Sequence, residues 1–144
     1  MLDTRLNPPW WALRLSFGLV PVIAGLDKFT NLLTDWTQYL SPLVTQLLPL
    51  TATTFMHVVG IIEVAAGILV LTKLTRVGAY VVCAWLVAIA LNLLTTGRFF
   101  DVAVRDLVMA VGAFSLAKLT EVREVATAKE QVTAPGLTPA RAGV

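Results

Sequence analysis

Along this chain polar and apolar positions come in long blocks rather than alternating residue by residue. Four stretches, Trp10 to Leu26, Phe55 to Leu71, Val77 to Leu94 and Val102 to Leu119, are apolar almost throughout, and each approaches the roughly 20 residues a helix needs to cross a bilayer. The polar joints between the later stretches, TKLTR and TTGRFFD, are short enough to enforce antiparallel hairpins. The pattern predicts an all-α protein, a four-helix transmembrane bundle.

The joint between the first two stretches is different. TNLLTDWTQYLSPLVTQLLPLTATT is too long for a tight turn and too apolar for a solvated loop. Trp36, Tyr39, Leu40, Leu43 and Leu47 recur at spacings of three and four, with Asp35, Thr37 and Gln38 on the other face. This predicts a short amphipathic helical segment, one or two helices, lying on the outer surface. Ser41-Pro42 reads as an N-cap followed by a first-turn proline, and Pro49 ends the run. Residues 1–9 form a polar lead closing on Pro8-Pro9, so the first long helix is expected to begin near Pro9 or Trp10. Residues 120–144 read as a cytoplasmic tail that continues the last helix for two or three turns. From about Val132 it is too poor in apolar residues to order itself.

Within the spans, small and polar residues share faces. Arg14, Gly18, Pro21, Gly25 and Lys28 fall on one stripe of the first helix, and Met56, Gly60, Glu63, Gly67 and Val70 on one stripe of the second. Small residues let helix backbones approach closely, so both stripes are expected to face protein. The third span offers Gly78, Trp85 and Asn92 at heptad spacing. The fourth offers Asp106, Ala110, Ala113 and Ala117, with Arg105, Met109 and Gly112 beside them.

Composition supports the membrane reading: 57% of the 144 residues are hydrophobic and 14% charged, against about a quarter charged in ordinary soluble domains. The basic residues are scattered and lack interleaved aromatics, which excludes a nucleic-acid surface. With both termini in the cytoplasm, Arg5, Arg14, Lys73, Arg76, Lys118, Arg123, Lys129 and Arg141 lie inside or at the inner boundary, and only Lys28 and Arg98 lie outside. That bias favours this orientation. The first span, with Trp10-Trp11 before it and Pro21 within it, is not expected to be a cleaved signal peptide. Trp10, Trp11, Trp36 and Tyr39 read as interfacial anchors. The lone Cys83 cannot form the thiol pair a disulfide oxidoreductase needs.

The chemistry concentrates on Glu63, set inside GIIEVAAGILVL. An ionised carboxylate at that depth costs about 2.5 to 3.5 kcal/mol unless compensated. At about 1.5 Å per residue, Glu63 lies roughly 12 Å below the outer end of its helix and Arg105 roughly 5 Å below the outer end of the fourth span, while Arg14 lies roughly 6 Å above the inner end of the first. Arg105 is therefore the expected partner. The same depths bring Lys28, His57, Asn92, Asp101, Arg105 and Asp106 together in the outer half beside Asp27, a polar cluster expected to be open toward the outer surface and closed toward the cytoplasm by apolar packing. Arg105 and Asp106 diverge by about 100° around their helix, so each is expected to pair with another helix. As the only histidine, His57 cannot build a histidine metal site, and no metal is expected.

Arg14 followed by Gly18, GLDKF at 25–29 as a G-x-x-K segment, GIIEVAAGILVL as a G-x-x-E-x-x-x-G helix, and Arg76 shortly after together resemble the DoxX family of small bacterial membrane proteins. RDLVMAVGAF at 105–114 is similar to that family's last helix, so the resemblance spans roughly residues 10–119. The segment at 30–54 matches less readily. The resemblance implies a four-helix bundle whose relatives are linked to redox and oxidative-stress systems, including a thiosulfate:quinone oxidoreductase subunit. It carries the family's polar positions onto Arg14, Lys28, Glu63 and Arg76.

The leading expectation is an accessory subunit of a membrane redox system, not catalytic alone, whose candidate site comprises Arg14, Lys28, His57, Glu63, Asn92, Arg105 and Asp106. No motif for flavin, haem, iron–sulfur or nucleotide is present, and no cofactor is expected to be covalently bound. A quinone-like molecule suits an apolar cleft with a few convergent polar groups, and a redox enzyme or a second copy of the chain is the expected partner. The alternatives are an oligomeric transporter of protons or small solutes with Glu63 titrating, and a purely structural or assembly role.

Overall fold

In a computed structural model, residues 4–133 are described. They form five α-helices: α1 (Asn7–Asp27), α2 (Pro42–Leu47), α3 (Ala52–Leu71), α4 (Thr75–Thr95) and α5 (Phe100–Thr133). Helix α1 starts about two residues before the expected point, after a 3-10 turn over Thr4–Leu6, and carries Pro8 and Pro9 in its first turn. Proline is tolerated there because the first turn's amides have no helical acceptor. Helix α5 continues past Leu119 as far as Thr133, further than the two or three turns expected; the rest of the tail lies outside the described residues.

The segment between α1 and α3 is a 3-10 turn, Trp36–Tyr39, followed by α2. Asp35 caps the former by accepting from the Thr37 amide. Ser41 caps α2 by accepting from Leu43, with Pro42 behind it. Thr51 then caps α3 through the Thr54 amide.

Helices α1, α3 and α4 are long and apolar enough to cross a membrane. Helix α5 is long enough, but Asp101, Arg105, Asp106 and Lys118 put too many charges into its apolar part for composition alone to place it in the same class. What surrounds α5 is nonetheless apolar: Val104, Val108, Val111 and Phe114 are exposed on its outer face, as Leu19 and Ile61 are on α1 and α3. Apolar area on that scale requires a lipid or protein covering.

Two hairpins make up the bundle. In the first, α1 and α3 meet through glycines. A methyl on Gly25 would lie 2.5 Å from the Gly60 carbonyl oxygen, one on Gly60 would lie 2.6 Å from that of Gly25, and one on Gly67 would lie 2.5 Å from that of Gly18. The backbones touch, as the shared stripes required. The second hairpin, α4 with α5, turns through Gly97 at φ 66° and Phe99 at φ 59°. A left-handed conformation costs an L-residue about 1–2 kcal/mol. At Phe99 this is offset by packing of its ring on Tyr39, with centroids 4.8 Å apart. The inner half between the hairpins is filled by Val70, Ala79, Val82, Ala113, Leu116 and Ala117. Ala90, Leu93 and Ala103 form a smaller core under the connector.

Beyond the apolar part, α5 is tied to α4 by polar contacts. Tyr80 donates to Glu121 at 2.7 Å, Lys118 Nζ lies 2.9 Å from the same carboxylate, and Arg76 pairs with Glu124 at 3.0 Å. Hydrogen bonds from Lys118 and Tyr80 hold the Glu121 carboxyl below its ordinary value of 4.5. A depressed carboxyl contributes stability that is present above the unfolded value and is lost as pH falls through the folded one. Glu121→Gln is therefore expected to lower the thermal midpoint slightly at pH 7 and to flatten its decline below pH 4.5, so that variant and wild type converge in acid. An unaltered acid limb in a pH series of melting curves would count against this assignment.

Candidate functional site

Lys28 stands at the C-terminal end of α1, where a cation is favoured by the helix dipole, and is turned inward so that only 4% of it is exposed. Its Nζ lies 2.5 Å from Glu63 Oε2. The close α1–α3 crossing makes the pair possible, because Gly60, one turn before Glu63, lies directly against Gly25 and the Lys28 β-carbon. Trp36 lies across the lysine, its ring centroid 3.7 Å from Nζ. Trp85 of α4 points its indole N–H at the other glutamate oxygen, 3.4 Å away. The expected Glu63–Arg105 pairing is thus corrected: the partner is Lys28, from the neighbouring helix of the same hairpin. Arg105 is exposed and forms no ion pair among the described residues.

The connector is fixed over this pair. Asp27 accepts from the backbone amides of Leu32 and Leu33, from the Thr30 hydroxyl and from Trp36 Nε1 at 2.8 Å. Asn92 of α4 accepts from the Ser41 amide at 3.1 Å and donates to the Tyr39 carbonyl at 2.7 Å. Thr95 donates to the Ser41 hydroxyl. Trp36 and Tyr39 are therefore elements of a cover over the outer end, not the simple interfacial anchors expected from sequence, and the cluster is roofed where it was expected to open outward. Trp10 likewise is buried and donates to Thr120.

Beneath the cover lies a cavity of about 780 Å³ between the two hairpins. Lys28, Glu63, Asn92, Arg105 and Asp106 all line it, with Trp36 and Trp85. Its walls are otherwise mainly apolar, including Phe17, Ala24, Met56, Leu86 and Met109. Val20, half exposed on α1, and Arg105 on α5 stand on its lining. Its lining thus reaches the surface on α1 and α5, which meet through Trp10 on Thr120 and Phe17 on Gly112. Asp106 is 8% exposed and makes no hydrogen bond or ion pair among the described residues. No enclosed side-chain oxygen or nitrogen there lacks a partner, so the unpaired Asp106 oxygens are those that look into the cavity. The expectation that Asp106 pairs with another helix is corrected accordingly.

Three expected members of the cluster do not join it. Arg14 lies at the opposite end, where it closes the C-terminus of α3 by donating to the carbonyls of Val70, Leu71 and Thr72, with Trp10 and Trp11 on its flanks. Helix C-termini leave such carbonyls without amide partners, which gives Arg14 a structural reason to be there. His57 stacks on Phe29, ring centroids 4.7 Å apart, outside the cavity lining. Asp101 is exposed at the start of α5. Among the described residues no cluster of metal-ligating side chains occurs. Sequence reading missed the roles of Asp27, Trp36 and Trp85. Thr30 three residues after Asp27 was a local signal for a carboxylate-centred turn, but nothing local marked the two indoles.

Comparisons with known proteins agree with this architecture. No curated protein and no solved structure matches the chain. The sequence model of the DoxX family matches residues 10–97, which covers α1 to α4 with the Lys28–Glu63 pair and ends before α5. That match takes in more than half of the chain, and with the three apolar helices it makes this protein an integral membrane protein belonging to the DoxX family.

Proposed function

We propose that the protein is an accessory subunit of a redox system in a bacterial cytoplasmic membrane, with both termini on the cytoplasmic side and α5 as a fourth span. In this role it holds a quinone-like amphiphile in the cavity between its hairpins. The observation that carries this reading is the cavity itself. About 780 Å³ of mainly apolar space, reached from the side at membrane depth, suits a ligand whose ring partitions into lipid. The unpaired Asp106 carboxyl group lines the cavity and offers a hydrogen-bonding group to the ring oxygen of a quinone or quinol. The Lys28–Glu63 pair and the indoles of Trp36 and Trp85 fix the shape of the cavity's outer part. Electrons would come from a partner enzyme docked on the bundle. The apolar plug of Val70, Ala113 and Leu116 beneath the cavity favours holding a ligand over conducting one.

Gentle detergent extraction followed by mass spectrometry tests this. The wild-type chain is expected to carry a near-stoichiometric quinone or quinol. Val20→Trp, which fills the mouth from a half-exposed position, should lose it without loss of folding. Asp106→Asn should weaken retention about tenfold, the worth of one hydrogen bond to a charged acceptor. Wild-type protein free of any such molecule, or full occupancy in Val20→Trp, would overturn the proposal.

A further inference from the structure

At the end of the bundle opposite the cavity, a groove of about 490 Å³ lies between the start of α1, the α3–α4 turn and the part of α5 beyond Leu119. Three cations from three elements converge on it: Arg14, Lys73 and Arg123. Their donors are only partly used. Arg14 spends Nε and one terminal nitrogen on the α3 carbonyls, which leaves its other terminal nitrogen without a hydrogen bond. Arg123 spends one nitrogen on Asn7 and lies over Trp10, 4.3 Å from the ring centroid. Lys73 is exposed, and its ammonium has no partner among the described residues.

The groove's hydroxyls offer nothing further, because Thr72, Thr75, Thr120 and Thr127 all donate to backbone carbonyls. The carboxylate at its rim, Glu124, is held from outside by Arg76. What remains is a concave set of three cations with unused donors, which outnumber the one carboxylate on the lining, itself already paired with Arg76. We propose that this groove binds a phosphate group, that of an anionic phospholipid in the adjoining leaflet. A tetrahedral phosphate presents several acceptor oxygens that can meet cations arriving from different directions, and charge-assisted bonds of this type are among the strong ones. The groove lies where α3 ends and α4 begins, at the apolar–polar boundary where headgroup phosphates reside, and basic recesses between helices at that level recognise such groups. Trp11, in contact with Arg14, and Leu15 are exposed beside it, which provides an apolar track for an acyl chain.

The test uses the full chain in neutral detergent, with binding read by native mass spectrometry. Phosphatidylglycerol is expected to bind, and diacylglycerol of the same chains is not. Lys73→Gln, which removes no contact within the protein, should weaken phosphatidylglycerol about tenfold with an unchanged melting temperature, whereas Arg98→Gln at the other end should do nothing. Displacement of the lipid by inorganic phosphate would assign the site to free phosphate esters, and resistance to displacement would assign it to headgroups. Equal binding of diacylglycerol, or undiminished phosphatidylglycerol binding by Lys73→Gln, would overturn the proposal.

Discussion

Glu63→Ala is expected to destabilise the protein by about 3–5 kcal/mol, the penalty for stranding one member of a buried ion pair. The Lys28 side chain is 4% exposed and that of Glu63 8%. Without the carboxylate, the ammonium keeps only the face of Trp36, worth about 2 kcal/mol at most. Lys28→Ala strands the carboxylate instead, with the Trp85 indole N–H at 3.4 Å as its remaining partner. Replacing both residues at once should behave differently. Lys28→Met with Glu63→Leu removes both charges and fills similar volume, a change that is often neutral or stabilising. Thermal unfolding of Lys28→Met, Glu63→Leu and the two combined, in one detergent, gives the coupling directly. If the double variant is as damaged as either single one, the cost lies in losing the pair itself and not in stranding one of its charges. Ligand retention by a stable double variant then separates roles: loss assigns the pair to binding, and retention assigns it to folding.

Gly25→Val should do comparable damage for an unrelated reason. The first carbon of any side chain at this position would lie 2.5 Å from the Gly60 carbonyl oxygen and 2.8 Å from a Val64 methyl. The oxygen belongs to helix backbone and cannot swing aside, so α1 must move away from α3. Overpacking a core generally costs about 1–3 kcal/mol and occasionally more. Here the excess is expected, since separation of the helices also pulls Lys28 from Glu63, one turn further along. Gly97→Ala is the useful contrast. Nothing lies within 4 Å of that position, so its cost is the left-handed backbone alone, about 1–2 kcal/mol. Melting temperatures that rank Gly97→Ala as the more harmful change would contradict the close-contact account of the α1–α3 crossing.

Much of the helical frame was legible because its causes are local. Blocks of apolar residues, the Ser41-Pro42 cap and the stripes at spacings of three and four all act over one or two turns, and the structure realises them. Met56, Gly60, Glu63, Gly67 and Val70 are buried together, as are Asp106, Ala110, Ala113 and Ala117. Two misplacements have one cause. Depth along a helix was estimated from rise per residue, which cannot say which helix stands next to which. Depth put Arg105 forward as the partner of Glu63 and only grouped Lys28 with it in the outer half. The glycine contact decided for Lys28, because it brings the end of α1 into backbone contact with α3 one turn from Glu63. Asp106 was assigned a partner on the rule that buried charge is paired, and the cavity is what lets it stand without one.

What the sequence by itself determined was the number and length of the long helices, their apolar exteriors, the faces they turn inward and the presence of charge where lipid would exclude it. Each depends on the periodicity of a helix and on the solvent it must satisfy. Only the tertiary structure decided that Lys28 answers Glu63, that Trp36 and Tyr39 close over them, and that Arg14 serves a helix end far from both. Those outcomes depend on distances between segments up to dozens of residues apart, fixed by how closely backbones can approach, and no local pattern encodes that distance.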